Sequence, residues 1–162
     1  MTIAVGDRLP AANLSGMRPD GPEQVALGDK LKGRTVVIFA VPGAYTPTCH
    51  SAHVPSFIRV HDDLRAKGVD EVICVAVNDA FVMDVWGRDT GASQAGITML
   101  GDPAAEFTEA IGMRFDAPPA GLIARSKRYS MLVVDGVVKV LNVEDSPGEC
   151  SISAGETMLD AL

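Results

Sequence analysis

Residues 35–50 read Thr35-Val36-Val37-Ile38-Phe39-Ala40-Val41-Pro42-Gly43-Ala44-Tyr45-Thr46-Pro47-Thr48-Cys49-His50. The first seven form an apolar run rich in β-branched side chains, as a central strand covered on both faces requires. Pro42-Gly43 ends that run, and Thr46-Pro47 opens a helix. Thr46 is placed to act as N-cap, with Pro47 at the first helical position, where a missing N–H costs nothing. Cys49 then occupies the third helical position. Its amide N–H is a natural partner for the Thr46 hydroxyl, and its sulfur lies in the positive field of the helix start. That field favours thiolate over thiol, and thiolate is the reactive form. A lone cysteine is more often a buried structural residue. Here the flanking punctuation places it at a strand-to-helix junction, where α/β folds put their sites.

Outward from this junction, strands and helices alternate. His53, Phe57, Val60 and Leu64 recur at helical spacing, and Lys67-Gly68 closes that helix. Residues 71–77 form a second buried strand. Asp79 can cap a helix carrying Phe81, Val82, Val85 and Trp86. Residues 97–100 read as a short strand and 103–111 as a short helix. Tyr129–Val134 and Val137–Val143 flank Asp135-Gly136, a strong hairpin signal. Ser153 is placed to cap a final helix over 154–162. Upstream, residues 1–30 are rich in Gly, Pro and Asp, with strand-like pieces at 12–17 and 24–27 around the turn signal Pro19-Asp20-Gly21-Pro22. This order predicts an α/β sandwich: a mixed central sheet flanked by helices, thioredoxin-like, with an N-terminal β-hairpin extension. No repeat, low-complexity tract or long linker divides the chain, so residues 1–162 are expected to form a single domain.

The 162 residues are 47% hydrophobic and the mean hydropathy is +0.18, which argues for a packed core and against disorder. No apolar run approaches the roughly 18 residues of a membrane span. The N-terminal Met1-Thr2-Ile3-Ala4-Val5-Gly6-Asp7 lacks the basic start and long apolar core of a signal peptide. A net charge of −7 disfavours nucleic acid or an anionic membrane as partner. The three cysteines, Cys49, Cys74 and Cys150, form no Cys-x-x-Cys pair and fit neither a disulfide framework nor a zinc site. A reducing cytoplasm is therefore expected, where a disulfide is transient and catalytic.

The stretch Pro42-Gly43-Ala44-Tyr45-Thr46-Pro47-Thr48-Cys49 resembles the active-site signature of the peroxiredoxin-5 type, or type II, thiol peroxidases. The resemblance continues through His53-Val54-Pro55-Ser56-Phe57, Val77-Asn78-Asp79-Ala80-Phe81-Val82, Trp86-Gly87 and Gly101-Asp102-Pro103. It resumes at Lys127-Arg128-Tyr129-Ser130-Met131 and Asp135-Gly136, and ends at Leu141-Asn142-Val143-Glu144. Tyr45 stands where the family usually has Phe. The resemblance implies a thioredoxin-like fold and a thiol peroxidase with Cys49 as peroxidatic residue. It maps the catalytic arginine onto Arg128, which could hold the thiolate and bind a peroxide oxygen. Thr46 is both a helix cap and a hydroxyl donor near sulfur. Pro42 shields the thiolate, and Gly43 allows close backbone approach. The implied reductants are glutathione with glutaredoxin, or thioredoxin, and the implied assembly is a homodimer. No metal, haem or flavin is implied. In some members a cysteine near the position of Cys150 resolves the sulfenic acid; Cys150 matches it approximately, in a loop expected to be exposed. Cys74 reads as a buried strand residue.

Rival readings are weaker. Cys49 and His53 share a helix face, but two ligands do not close a zinc site. His53 is expected to be a packing histidine and His50 to be exposed. A thioredoxin-type dithiol exchanger needs a second cysteine where Thr46 stands. A peroxide-sensing redox switch would use the same cysteine but need react only once. A catalytically dead binding module would show no enhanced thiol reactivity.

Overall fold

The structure is a computed structural model describing residues 2–162. Thr35–Val41 forms β3, an interior strand of a seven-stranded mixed sheet. Parallel to it lies β4 (Glu71–Ala76), and parallel to that β5 (Thr98–Gly101). On its other side β8 (Tyr129–Val134) runs antiparallel and continues into β9 (Val137–Val143). The N-terminal hairpin, β1 (Asn13–Arg18) with β2 (Gly21–Ala26), joins the edge beyond β5. The strand order is thus β2-β1-β5-β4-β3-β8-β9, a thioredoxin-like mixed sheet with an N-terminal hairpin extension, as the sequence predicts.

Alternation along β3 explains its unbroken apolar run. Val36, Ile38 and Ala40 enter one core with Leu27, Leu31 and Phe107. Those come from α1 (Leu27–Leu31) and α5 (Glu106–Ala110). Val37, Phe39 and Val41 enter the other, with Phe57, Leu64, Trp86 and Met158. These belong to α2 (Val54–Ala66), α3 (Ala80–Thr90) and α6 (Gly155–Asp160). A strand buried on both faces has no polar side to show.

Several predicted ends hold. Asp79 Oδ1 accepts from the Val82 N–H at 2.9 Å and caps α3. Asp135 and Gly136 both take positive φ, 48° and 80°, as a two-residue hairpin turn requires. The final helix is a correction. Ser153 spends its hydroxyl on Glu144, and the Gly155 N–H is taken instead by Ser56 Oγ of α2 at 2.9 Å. Outside the sequence reading lie the short helix α1 after the first hairpin, the single-turn α4 (Ala92–Ala95), and a separate hairpin of β6 (Arg114–Ala117) and β7 (Leu122–Ser126). The strands of that hairpin are short and half exposed, so they carry no buried periodicity.

Among the described residues no helix is long and apolar enough to cross a membrane.

Candidate active site

The helix after β3 begins at Pro47, which puts Cys49 in its first turn. From Cys49 to His53 the turn is widened to π geometry, and the Val54 N–H reaches back to the Cys49 carbonyl. Pro55 follows directly and cannot donate to the preceding turn, a local cause for such widening. Thr46 stands at the cap, and its carbonyl takes the His50 N–H at 2.9 Å. Its hydroxyl does not take the Cys49 amide. It lies 2.7 Å from Cys49 Sγ and 2.9 Å from the Gly43 carbonyl. The cap residue thus turns its side chain onto the sulfur and leaves the helix amides to other partners.

Arg128 arrives from the neighbouring strand. β8 pairs antiparallel with β3 in the register Ala40–Tyr129, so the residue before Tyr129 stands at the end of β3, where the cysteine loop begins. Tyr129 and Met131 enter one core and Leu132 the other, so Arg128 falls by alternation on the Cys49 side. Arg128 is 1% exposed, and its Nη2 donates to Cys49 Sγ at 3.0 Å. Nη2 and Nε also donate to the Pro147 carbonyl, at 2.9 and 3.2 Å. Nη1 faces His53 Nδ1 at 3.1 Å. Cys49 itself is fully buried.

The loop before Cys49 is held from outside. Arg125 Nη1 donates to the Pro42 carbonyl at 3.2 Å, and the Ala44 N–H donates to Asn78 Oδ1 at 3.0 Å. A Cβ at Gly43 would collide with the Arg125 guanidinium, so the close approach that glycine permits is that of a side chain. Tyr45 adopts a φ of +64°. It is fixed by its hydroxyl, which donates to Asp89 Oδ2, and by stacking on His50 with ring centroids 5.7 Å apart. His50 is therefore half-buried rather than exposed, and its Nδ1 accepts from Trp86 Nε1 at 3.0 Å.

On the far side, Glu144 follows β9 and organises the loop to α6. Its carboxylate accepts from the Ser151 and Ser153 N–H groups, both at 2.8 Å, and from both hydroxyls. Burial pushes its carboxyl up, but these hydrogen bonds outweigh burial and hold it below the ordinary glutamate range. Cys150 lies in this loop, half-buried rather than exposed, with its thiol pushed up by burial. Cys74 faces Phe39 across the β3–β4 pair, fully buried, its thiol pushed well up by the same cause. All three cysteines are free. His53 is a buried packing residue beside Phe39 and Phe57, as expected. Among the described residues no cluster of three or more His, Cys, Asp or Glu could hold a metal ion. Sequence reasoning missed the roles of Asn78, Arg125 and Glu144. Their partners are 34, 83 and up to 9 positions away, and only the residues themselves, inside or beside the recognised segments, could have drawn notice.

Fold and site together define a class: a thioredoxin-like protein built around one buried cysteine that receives an arginine and a threonine hydroxyl. The family model of Redoxin matches residues 4–159. The chain is 49% identical to Peroxiredoxin-2E-2, chloroplastic, of Oryza sativa subsp. japonica, covering 99% of this chain and 73% of the relative. It is 42% identical to Peroxiredoxin-2B of Arabidopsis thaliana, covering 99% and 98%. A crystal structure of reduced Prx3 in complex with H2O2 from Vibrio vulnificus superposes with a TM-score of 0.91 at 45% identity, covering 99% of each chain. The chain belongs to the redoxin family and is a peroxiredoxin of the thioredoxin-like superfamily, an enzyme of the thiol peroxidase class.

Proposed function

We propose that residues 1–162 act as one peroxiredoxin domain that reduces hydrogen peroxide and alkyl hydroperoxides at Cys49. The observation that carries this reading is the pairing on one buried sulfur of Arg128 Nη2 at 3.0 Å and Thr46 Oγ1 at 2.7 Å. The cationic donor favours thiolate. The thiolate attacks the terminal peroxide oxygen; the O–O bond breaks, the terminal OH passes to the sulfur, which is oxidised to sulfenic acid, and the leaving oxygen takes up from solvent the proton that the thiol gave up, departing as water or an alcohol. Arg128 and Thr46 then serve the peroxide as well as the sulfur, stabilising charge on the leaving oxygen. Pro42 closes the loop over the thiol. The Vibrio vulnificus relative, seen with H2O2, supports the substrate class.

A thiol then condenses with the sulfenic acid, expelling water, and a second thiol releases Cys49 as a disulfide forms between the reductants. Glutathione with glutaredoxin, or thioredoxin, fits this role, and no cofactor is needed. Resolution by an external thiol is favoured, with Cys150 as an optional helper. The loop of Cys150 already touches the helix start, where Thr48 Oγ1 donates to the Gly148 carbonyl at 3.0 Å. This chemistry calls for a reducing setting, and the cytoplasm is the setting proposed.

A homodimer is supported by one exposed face. Phe81 and Val85, 61% and 43% exposed, share a stripe of α3 with Asp89, whose partner Tyr45 is 46% exposed. The decisive experiment is peroxide consumption with glutathione and glutaredoxin against thioredoxin, for the wild type and each Cys→Ser variant. Sustained turnover that needs only Cys49 is expected; a single stoichiometric oxidation without turnover would identify a sensor instead.

A further inference from the structure

Resting on this reading of the site, we propose that His53 is the positioning residue of the Cys49–Arg128 pair. Its Nδ1 lone pair holds the guanidinium so that Nη2 points at the sulfur, and its Nε2–H ties the same ring to the loop that carries Cys150.

The imidazole is fully buried and four residues beyond Cys49, at the other end of the widened turn. It makes no hydrogen bond to the sulfur. An arginine N–H can only donate, so Nδ1, 3.1 Å from Arg128 Nη1, must be the accepting, unprotonated nitrogen. A carbonyl can only accept, so Nε2, 3.0 Å from the Ser153 oxygen, must carry the proton. The two contacts demand the same neutral tautomer. Burial first, and the neighbouring Arg128 charge second, lower the ring's pKa to about 3, which keeps it in that form at neutral pH. Phe39 and Phe57, with ring centroids 5.0 and 5.7 Å away, fix its plane.

The guanidinium has its other contacts on one side. Nε and Nη2 meet the Pro147 carbonyl and Nη2 meets the sulfur, which leaves Nη1 to His53. Without the Nδ1 acceptor a buried, charged N–H loses its partner. The group then gains by rotating toward another acceptor, and rotation carries Nη2 off the sulfur. The same ring holds Ser153 while Arg128 holds Pro147, so both ends of the Cys150 loop hang on this pair.

Two variants separate the contacts. His53→Asn keeps an amide oxygen near Nδ1 and loses the donor to Ser153. His53→Gln keeps an amide donor near Nε2 and loses the acceptor for Arg128. Stopped-flow oxidation by hydrogen peroxide, read through the single tryptophan Trp86, should leave His53→Asn with most of the wild-type rate. His53→Gln should be slower on the order of 100-fold, with iodoacetamide alkylation of Cys49 slowed in parallel. Equal loss in both variants would make His53 merely structural and overturn the proposal. Equal retention beside a slow Arg128→Ala would also overturn it, with the reading of the site left standing. A fast Arg128→Ala would bring down that reading itself. In the wild type, histidine nitrogen NMR at neutral pH should find the His53 proton on Nε2; a proton on Nδ1 overturns the proposal whether or not any variant folds.

Discussion

At the scale of single residues the site is a buried thiol with two donors, and each donor is separable. Cys49→Ser should abolish peroxide reduction while the fold persists, because serine keeps the size and is a far poorer nucleophile near neutral pH. Appreciable turnover would remove Cys49 from the centre of the reaction. Arg128→Ala should slow oxidation by about two orders of magnitude or more, since a preorganised charged donor is lost from a dry site. The second-order rate with hydrogen peroxide checks this. His53 links the site to stability. In the fold its pKa lies at about 3, lowered by burial and by Arg128, whereas an unfolded imidazole titrates near ~6.5. Between those values the unfolded chain binds the extra proton. The stability is fully present above the upper value and is lost as pH falls through the window, by up to ~1.4 kcal/mol per pH unit. Urea unfolding at pH 7 and pH 5 should show this loss in the wild type and a smaller one in His53→Asn.

At the scale of elements, helix ends do the positioning. The start of the cysteine helix gives its cap hydroxyl to the sulfur, so its own amides rely on the widened turn and on the carbonyl of Thr46. The start of α6 is capped by α2 instead: Ser56 Oγ accepts from Gly155 N–H at 2.9 Å and donates to the His53 carbonyl at 2.6 Å. Ser56→Ala strands the buried Gly155 N–H and removes the second hydrogen bond to the His53 carbonyl, at a cost of roughly 1–3 kcal/mol. Amide hydrogen exchange should quicken in α6 and in the 49–53 turn together. Acceleration confined to one of them would show that this bond does not couple the two elements.

At the scale of the whole molecule, the sheet is the frame that brings remote segments together. Phe39 sits in β3 with Phe57 stacked on it at 4.1 Å and His53 beside it, so one strand residue backs both the core and the site. Phe39→Ala should lower stability by about 3–5 kcal/mol, read as a shift in the urea midpoint. At the surface, Phe81→Glu places a charge on the exposed stripe of α3. The wild type should run as a dimer in light scattering and this variant as a monomer, with Cys49 oxidation by peroxide retained. Identical masses for the two proteins would count against that face.

The sequence by itself determined the local parts. The apolar run of β3, Pro42-Gly43, Thr46-Pro47 and Cys49 lie within sixteen consecutive residues, and short-range rules of strand, turn and helix start act over such distances. Asp79 and Asp135-Gly136 were legible for the same reason. Expectations that failed were also local: Ser153 and the Thr46 hydroxyl are good caps by type, but Ser153 turns to Glu144 outside its helix and Thr46 turns to the Cys49 sulfur instead of the Cys49 amide. Only the tertiary structure decided that Arg128, 79 positions from Cys49, reaches the sulfur. The antiparallel register of β8 on β3 sets that distance, and register is a property of two paired strands. The same holds for Arg125 over Gly43 and for Glu144 under the Cys150 loop. Neither contact leaves a periodic mark, because each is a single polar side chain delivered by a strand end to a loop, 83 positions away for Arg125 and up to 9 for Glu144.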